Sequence, residues 1–402
     1  MSGVLGGLIG SEVKTRVSGG NFVANDGTYY YRVFTASGNL TVQNGYLTTD
    51  VFLVSGGGAG GGATSASGGG GSGSVATQTG LQYGGFNSGG NVVVTIGGGG
   101  ATPSTSTQGG SGTISSVASD IQTISAYGGG GGGGGIGSSS LSGISGLIGG
   151  SGGGGGTNAA TGTSGKGGGS TRVPTGTSLT TYQNIGGTGF GGTATTARNS
   201  GGGGGSSVAG TSSSSTVVGN GGNGITTTDI ASMLQLIAPN VSGWTTSNFQ
   251  STFNTSSGAS IFPFSSVTGT APIYNGMYVS AVSGGNQVFS AGTYIAAIDF
   301  FSSTFSINSA SIFNMAANTT ITATFGRHIA GGGAGARVAN ATTVTSWGTP
   351  GFGGCSSIGG SMNALNNTGA GGNGSNKLGT AAYGNGGSGI VIFKYLMNSV
   401  IS

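Results

Sequence analysis

Charge is scarce in this sequence. Its 402 residues include ten Lys or Arg, six Asp or Glu, one histidine, one cysteine and six prolines. Each shortage removes a class of explanation. A lone cysteine, Cys355, cannot build a disulfide framework and reads as a small idle thiol. A lone histidine, His328, has no partner for a two-histidine metal site and reads as a polar residue at a domain junction. The six acids, Glu12, Asp26, Asp50, Asp120, Asp229 and Asp299, stand apart along the chain. A paired-carboxylate hydrolase therefore has no cluster to start from; Asp229 reads as a helix cap and Asp299 as a turn residue. The basic residues are scattered, with Lys14 and Arg16 the closest pair, so there is no basic stripe for nucleic acid. A P-loop fails because Gly167 follows Lys166 where Ser or Thr is required. A calcium-binding repeat fails because residues 371–376 carry Asn where Asp is needed. No enzyme activity, cofactor or metal is expected.

What the chain has instead is glycine, at 98 of its 402 positions. Hydrophobic residues make up 34%, too few for a large packed core throughout. Collagen is excluded, because it needs glycine at every third position and abundant proline, whereas these glycines cluster in runs. Disorder is disfavoured, because disordered chains are usually highly charged, mean hydropathy is positive, and the runs are punctuated by apolar anchors such as Ile136, Leu141, Ile144, Leu147 and Ile148. The first residues, MSGVLGGLIGSEVK, form neither a signal peptide nor a membrane span. That suits an outward-acting protein released by lysis.

The patterning divides the chain. Residues 1–27 read as an N-terminal attachment segment. Strands are predicted at TYYYRVFTA, NLTVQ and TTDVFLVS within 28–55, and at SGIVIFKYL, 388–396. The last is expected to pair with Val51–Val54 and close the domain across its ends. Between them run glycine tracts at irregular spacing, interrupted once: residues 225–330 hold only eight of the 98 glycines. This block reads as an inserted β-rich domain with one short helix, TTTDIASMLQLIAPN, burying Ile230, Met233, Leu234 and Ile237 on one face. Its predicted strands are MYVSAV, QVFSA, YIAAIDFF, TFSINS and TTITATF. The body proper is then 28–224 plus 331–402.

A glycine body has a physical logic. Polyglycine can adopt a left-handed helix of three residues per turn with no internal hydrogen bonds, so every side presents backbone N–H and C=O. Without side chains, neighbouring helices approach closely enough to pair those groups. The run 128–135 would span roughly 25 Å. Ordering a residue costs ~1–2 kcal/mol and a net hydrogen bond returns ~0.5–1.5 kcal/mol. The tracts therefore near break-even, and the anchors and terminal strands supply the surplus. The expected fold class is mostly β and irregular: a bundle of polyglycine II helices closed by N- and C-terminal strands, with the inserted β-rich domain.

The segments FTASGNLTV…VFLVSGGGAGGG (34–62) and GNGGSGIVIFKY (384–395), with the repeated glycine runs between them, resemble the glycine-rich domain of bacteriophage tail-fibre and virion adhesin proteins. The composition is similar to that of polyglycine-sandwich adhesins at fibre tips. Residues 275–325 look like the small β modules of phage structural proteins, matching at Gly276-Met277, Ala291-Gly292-Thr293, Ile298-Asp299 and Thr320–Phe325. The resemblance implies a virion location, other virion proteins as partners, and loops that recognise a host glycan or outer-membrane protein. The loop aromatics Tyr83, Phe86, Tyr127, Tyr182, Phe190, Trp347, Phe352 and Tyr383 are the candidate receptor contacts; taken one by one, each reads more readily as a local anchor over a tract. A purely structural role, such as capsid decoration, is the alternative. An ice-binding bundle is disfavoured by the irregular repeats. Fibre proteins of this kind are commonly homotrimers, and tip adhesins can be single copies.

Overall fold

A computed structural model describes residues 14–85, 90–103, 106–137, 143–158, 162–170, 175–176, 179–192, 197–242, 244, 247–269, 273–299, 303–326, 328–339, 343–354, 363–375 and 384–401. Among them the protein is mostly β-sheet, with one short α-helix, Thr228–Ile237.

Two six-stranded sheets frame the body. The middle sheet runs in the order Thr180–Tyr182, Val75–Gly85, Gly45–Val54, Ile390–Leu396, Tyr29–Phe34, Phe22–Asn25. The expected closure across the chain ends is present: Ile390 pairs with Val54 and Ile392 with Phe52, while the other edge of the same strand pairs Ile392 with Val33. The outer sheet runs Val400–Ile401, Thr15–Ser18, Gly38–Gln43, Gly90–Thr95, Ser115–Ala118, Thr123–Ala126. Residues 15–25 thus supply a strand to each sheet, which corrects the expectation of a separate attachment segment over 1–27. Residues 1–13 lie outside the described residues.

Because strand side chains alternate between faces, the middle sheet is buried on both. Val51, Leu53, Val391, Phe393 and Tyr395 pack against Leu40, Val42 and Val92 of the outer sheet. Phe52, Val54, Ile390, Ile392, Tyr31 and Val33 face the other way and share a core with the helix. Continuous apolar runs such as VFLV and IVIF are what a strand buried on both faces requires.

The inserted block leaves and rejoins the body at a bridge between Ile225 and Ile329. The helix is where the periodicity put it, with Ile230, Met233, Leu234 and Ile237 buried. Its N-cap is Thr227, whose hydroxyl accepts from the Ile230 N–H, and Asp229 lies in the first turn. A seven-stranded sheet follows, ordered Asn286–Gln287, Tyr278–Ser283, Thr320–Thr324, Ser247–Ser251, Ile261–Gly269, Thr304–Ile307, Ile295–Asp299. Two of these strands, Ser247–Ser251 and Ile261–Gly269, were not expected. Of the predicted strand at 287–291 only Gln287 belongs to a strand; Val288 and Phe289 pack into the core instead. Asp299 ends a strand rather than forming a turn. Trp244 stacks on Phe325 at 3.8 Å between ring centroids, and its indole N–H donates to the Asn366 carbonyl at 3.0 Å. The insert and the body share one hydrophobic core.

The glycine segments lie outside the helix and strands, and their backbone amides are paired in a rotating order. Along 56–62, Gly56, Ala59 and Gly62 donate to Thr113, Gly110 and Thr107. Gly57 and Gly60 donate to Gly387 and Gly384, and Gly58 and Gly61 to Gly71 and Gly68. All seven bonds measure 2.8–3.2 Å. The partner changes at each residue and returns every third, whereas a β-strand serves two sides with period two. The 129–136 segment does the same on two sides: Gly129, Gly132 and Gly135 bond to Gly56, Ala59 and Gly62, and Gly130, Gly133 and Ile136 to Ser151, Gly154 and Thr157. There is no room for side chains. A Cβ on Gly58 would land on the Gly130 carbonyl, and one on Gly132 on the Gly68 carbonyl, each well inside 3.0 Å. Where a side chain is tolerated it is often a buried serine that joins the mesh. Ser67 Oγ donates to the Gly61 carbonyl, Ser200 Oγ to that of Ser67, and Ser206 Oγ to that of Ile329.

Candidate functional site

The loop aromatics do not form one surface. Tyr83 is withdrawn as a receptor contact: it is 1% exposed, packed edge-on against Phe393 inside the sandwich. Burial raises its phenol pKa and keeps it protonated. Tyr127 is half-buried, and its carbonyl accepts from the Ser74 N–H and hydroxyl at 2.9 and 3.1 Å, so its backbone anchors a tract. Phe190 is half-buried and bridges Asn199 through its backbone. Phe352 is half-buried between Tyr294 and His328, 5.9 and 5.1 Å from their ring centroids. Trp347 belongs to the Thr343–Trp347 strand of a small third sheet. Phe86 and Tyr383 lie outside the described residues.

Tyr182 is placed differently. It lines a cleft of about 540 Å³ between the middle sheet and the helix. The floor is apolar, formed by Phe52, Ile230, Met233 and Ile392. Tyr29, Tyr31 and Tyr182 stand around it with Asp26, Asp50, Asp229 and Lys394. Half of the six acids in the sequence therefore meet at one place, although they are 24 and 179 residues apart in succession.

The geometry follows from the strands. Asp50 and Phe52 share a face of the Gly45–Val54 strand, as do Lys394 and Ile392 of the last strand, and Asp50 and Lys394 are register partners. The Lys394 ammonium sits 4.3 Å from the Tyr29 ring centroid, a cation over a π face. Asp26 closes the turn between Phe22–Asn25 and Tyr29–Phe34. One carboxylate oxygen accepts from the N–H groups of Thr28 and Tyr29, and the other from the Tyr31 hydroxyl, each at 2.8 Å. Those bonds hold its pKa below the ordinary aspartate value, the Tyr29 N–H contributing most and the Tyr31 hydroxyl next. The Tyr31 phenol is pushed up by burial and then by the Asp26 carboxylate. Asp50 Oδ1 accepts from the Gly80 N–H at 3.0 Å. Gln78, the register partner of Val51, is 7% exposed and faces away from the cleft.

The sequence reading missed this cleft because it took the acids one by one. The alternation that puts Asp50 beside Phe52, and Tyr29 beside Tyr31, was the available signal; the arrival of Asp229 was not. Among the described residues no three His, Cys, Asp or Glu side chains are grouped so as to hold a metal. No helix among them is long and apolar enough to cross a membrane.

Compared with known proteins, the chain matches no family model and no curated sequence.

Proposed function

We propose that this chain is a structural and adhesive component of a bacteriophage particle, a tail-fibre or adhesin protein whose body is a bundle of polyglycine II helices. Its support is the three-way rotation of backbone hydrogen bonds along 56–62. A helix with three residues per turn aims successive amides at three neighbours about 120° apart, and the partner returns at every third residue. The carbonyls that crowd each absent Cβ agree with helices packed at backbone distance. Such a body is rigid, nearly free of charge and poor in protease sites. Its connecting loops are free to vary while the frame holds, which suits presentation to a host surface. The motifs at 34–62 and 384–395 supply the phage resemblance. On this proposal the protein is not an enzyme, resides in the virion, assembles with other virion proteins and with copies of itself as a trimer, and meets a host glycan or outer-membrane protein.

The test is to locate the chain on the particle by imaging and to measure adsorption of the purified protein to host cells. A few copies at tail tips, with adsorption, are expected. Many copies on the head and no adsorption would overturn the adhesive role in favour of capsid decoration.

A further inference from the structure

The cleft between the middle sheet and the helix has features that packing does not account for. Asp26 is fully engaged by its turn. Asp50 has one oxygen taken by Gly80, and among the described residues neither its second oxygen nor the Asp229 carboxylate meets a protein donor. Two carboxylates left open beside an aromatic-lined cleft leave acceptors free for a group supplied from outside.

The chemistry of that group follows from the walls. Three carboxylates against one ammonium repel anions, so phosphate, sulfate and acidic sugars are disfavoured. Unpaired acceptors ask for hydroxyl donors. Lys394 offers a complementary donor, already held over the Tyr29 ring. Tyr29, Tyr31 and Tyr182 present phenol rings whose π faces carry negative charge and attract the weakly positive C–H bonds of a pyranose. The apolar floor fits the same ring faces. The volume, about 540 Å³, falls in the ~300–1,000 Å³ range of small-molecule sites and admits a short oligosaccharide. The geometry points to a binding site for a neutral saccharide, held by Tyr182 and Tyr29 through its ring faces and by Asp50 and Asp229 through its hydroxyls. The inference rests on the adhesive reading for taking that saccharide to be part of a host-surface glycan. The binding itself does not depend on that reading.

The experiment titrates the purified full chain with a panel of neutral oligosaccharides built from glucose, galactose and mannose, with sialyllactose as the anionic control. The wild type is expected to bind at least one neutral member and to discriminate against sialyllactose. Tyr182→Ala and Asp229→Asn should each weaken binding about tenfold or more. Ser232→Trp provides a variant that preserves the fold: Ser232 is exposed on the helix and lines the cleft, so an indole there should block binding without altering the melting temperature. Failure of every neutral oligosaccharide, a preference for sialyllactose, or undiminished binding by a folded Ser232→Trp protein would overturn the proposal. Adsorption to host cells separates the two ideas. Adsorption without saccharide binding removes the cleft alone, whereas saccharide binding without adsorption removes the adhesive role alone.

Discussion

At Gly130 and Gly132 the position of a missing atom matters more than any contact present. A Cβ on Gly130 would occupy the place of the Leu147 carbonyl, and one on Gly132 that of the Gly68 carbonyl. Backbone carbonyls held by neighbouring hydrogen bonds cannot step aside as a side-chain tip can. Gly130→Val and Gly132→Val should each destabilise by about 1–3 kcal/mol or more, the range for overpacked cores. Ile121→Ala, at a site 73% exposed, should be near neutral. Thermal melts of the three variants check this. Asp26 makes a second residue-scale prediction. Its folded pKa lies below the ordinary value of 3.8, so its stabilising effect is full above the unfolded pKa. That effect fades as pH falls through the folded pKa. Asp26→Asn should therefore melt below the wild type at about pH 6, and the gap should narrow as pH falls below 3.8; a gap independent of pH would contradict the assignment.

Helix Thr228–Ile237 shows how much of an element can be read from local pattern. Apolar spacing identified its buried face in full, because a 3.6-residue period leaves little freedom about which side is covered. The cap was misplaced by two residues: Thr227 and Asp229 both belong to the capping residue types, and backbone geometry gives the role to Thr227. Thr227→Ala should lower stability by about 0.5–2 kcal/mol. Asp229→Asn should cost less, since only a charge near the helix N-terminus is lost; chemical denaturation of both variants ranks them. Strands rich in β-branched and aromatic residues, such as Tyr29–Phe34 and Ile390–Leu396, were equally legible. Ser247–Ser251 was not, because Phe249 is its one buried apolar side chain and pairing with Thr320–Thr324 does what its own pattern does not. Among the site residues, Tyr83 illustrates the limit. Nothing near it in sequence tells a loop ring from a core ring, and the decision is made by Phe393, some 310 residues later in the chain.

At the scale of the whole molecule, two kinds of cohesion meet. The sheets and the insert are held by two apolar cores. The glycine segments between them are held by amide pairing, reinforced by serine hydroxyls such as those of Ser67 and Ser200. Composition made the second kind foreseeable as a principle. The partners of each tract were not foreseeable, because glycine segments carry no side chains to specify which neighbour they meet. The convergence of Asp26, Asp50 and Asp229 was hidden for a related reason: it depends on where the insert folds back onto the body. If amide pairing makes the glycine segments a rigid frame, their hydrogens should exchange as slowly as those of the Ile390–Leu396 strand, through global unfolding only. Residue-resolved hydrogen exchange on the intact protein measures this directly. Protection across residues 56–62 and 129–136 matching that of the middle sheet is the predicted result. Exchange at unprotected rates in those segments, with the sheet still protected, would contradict it.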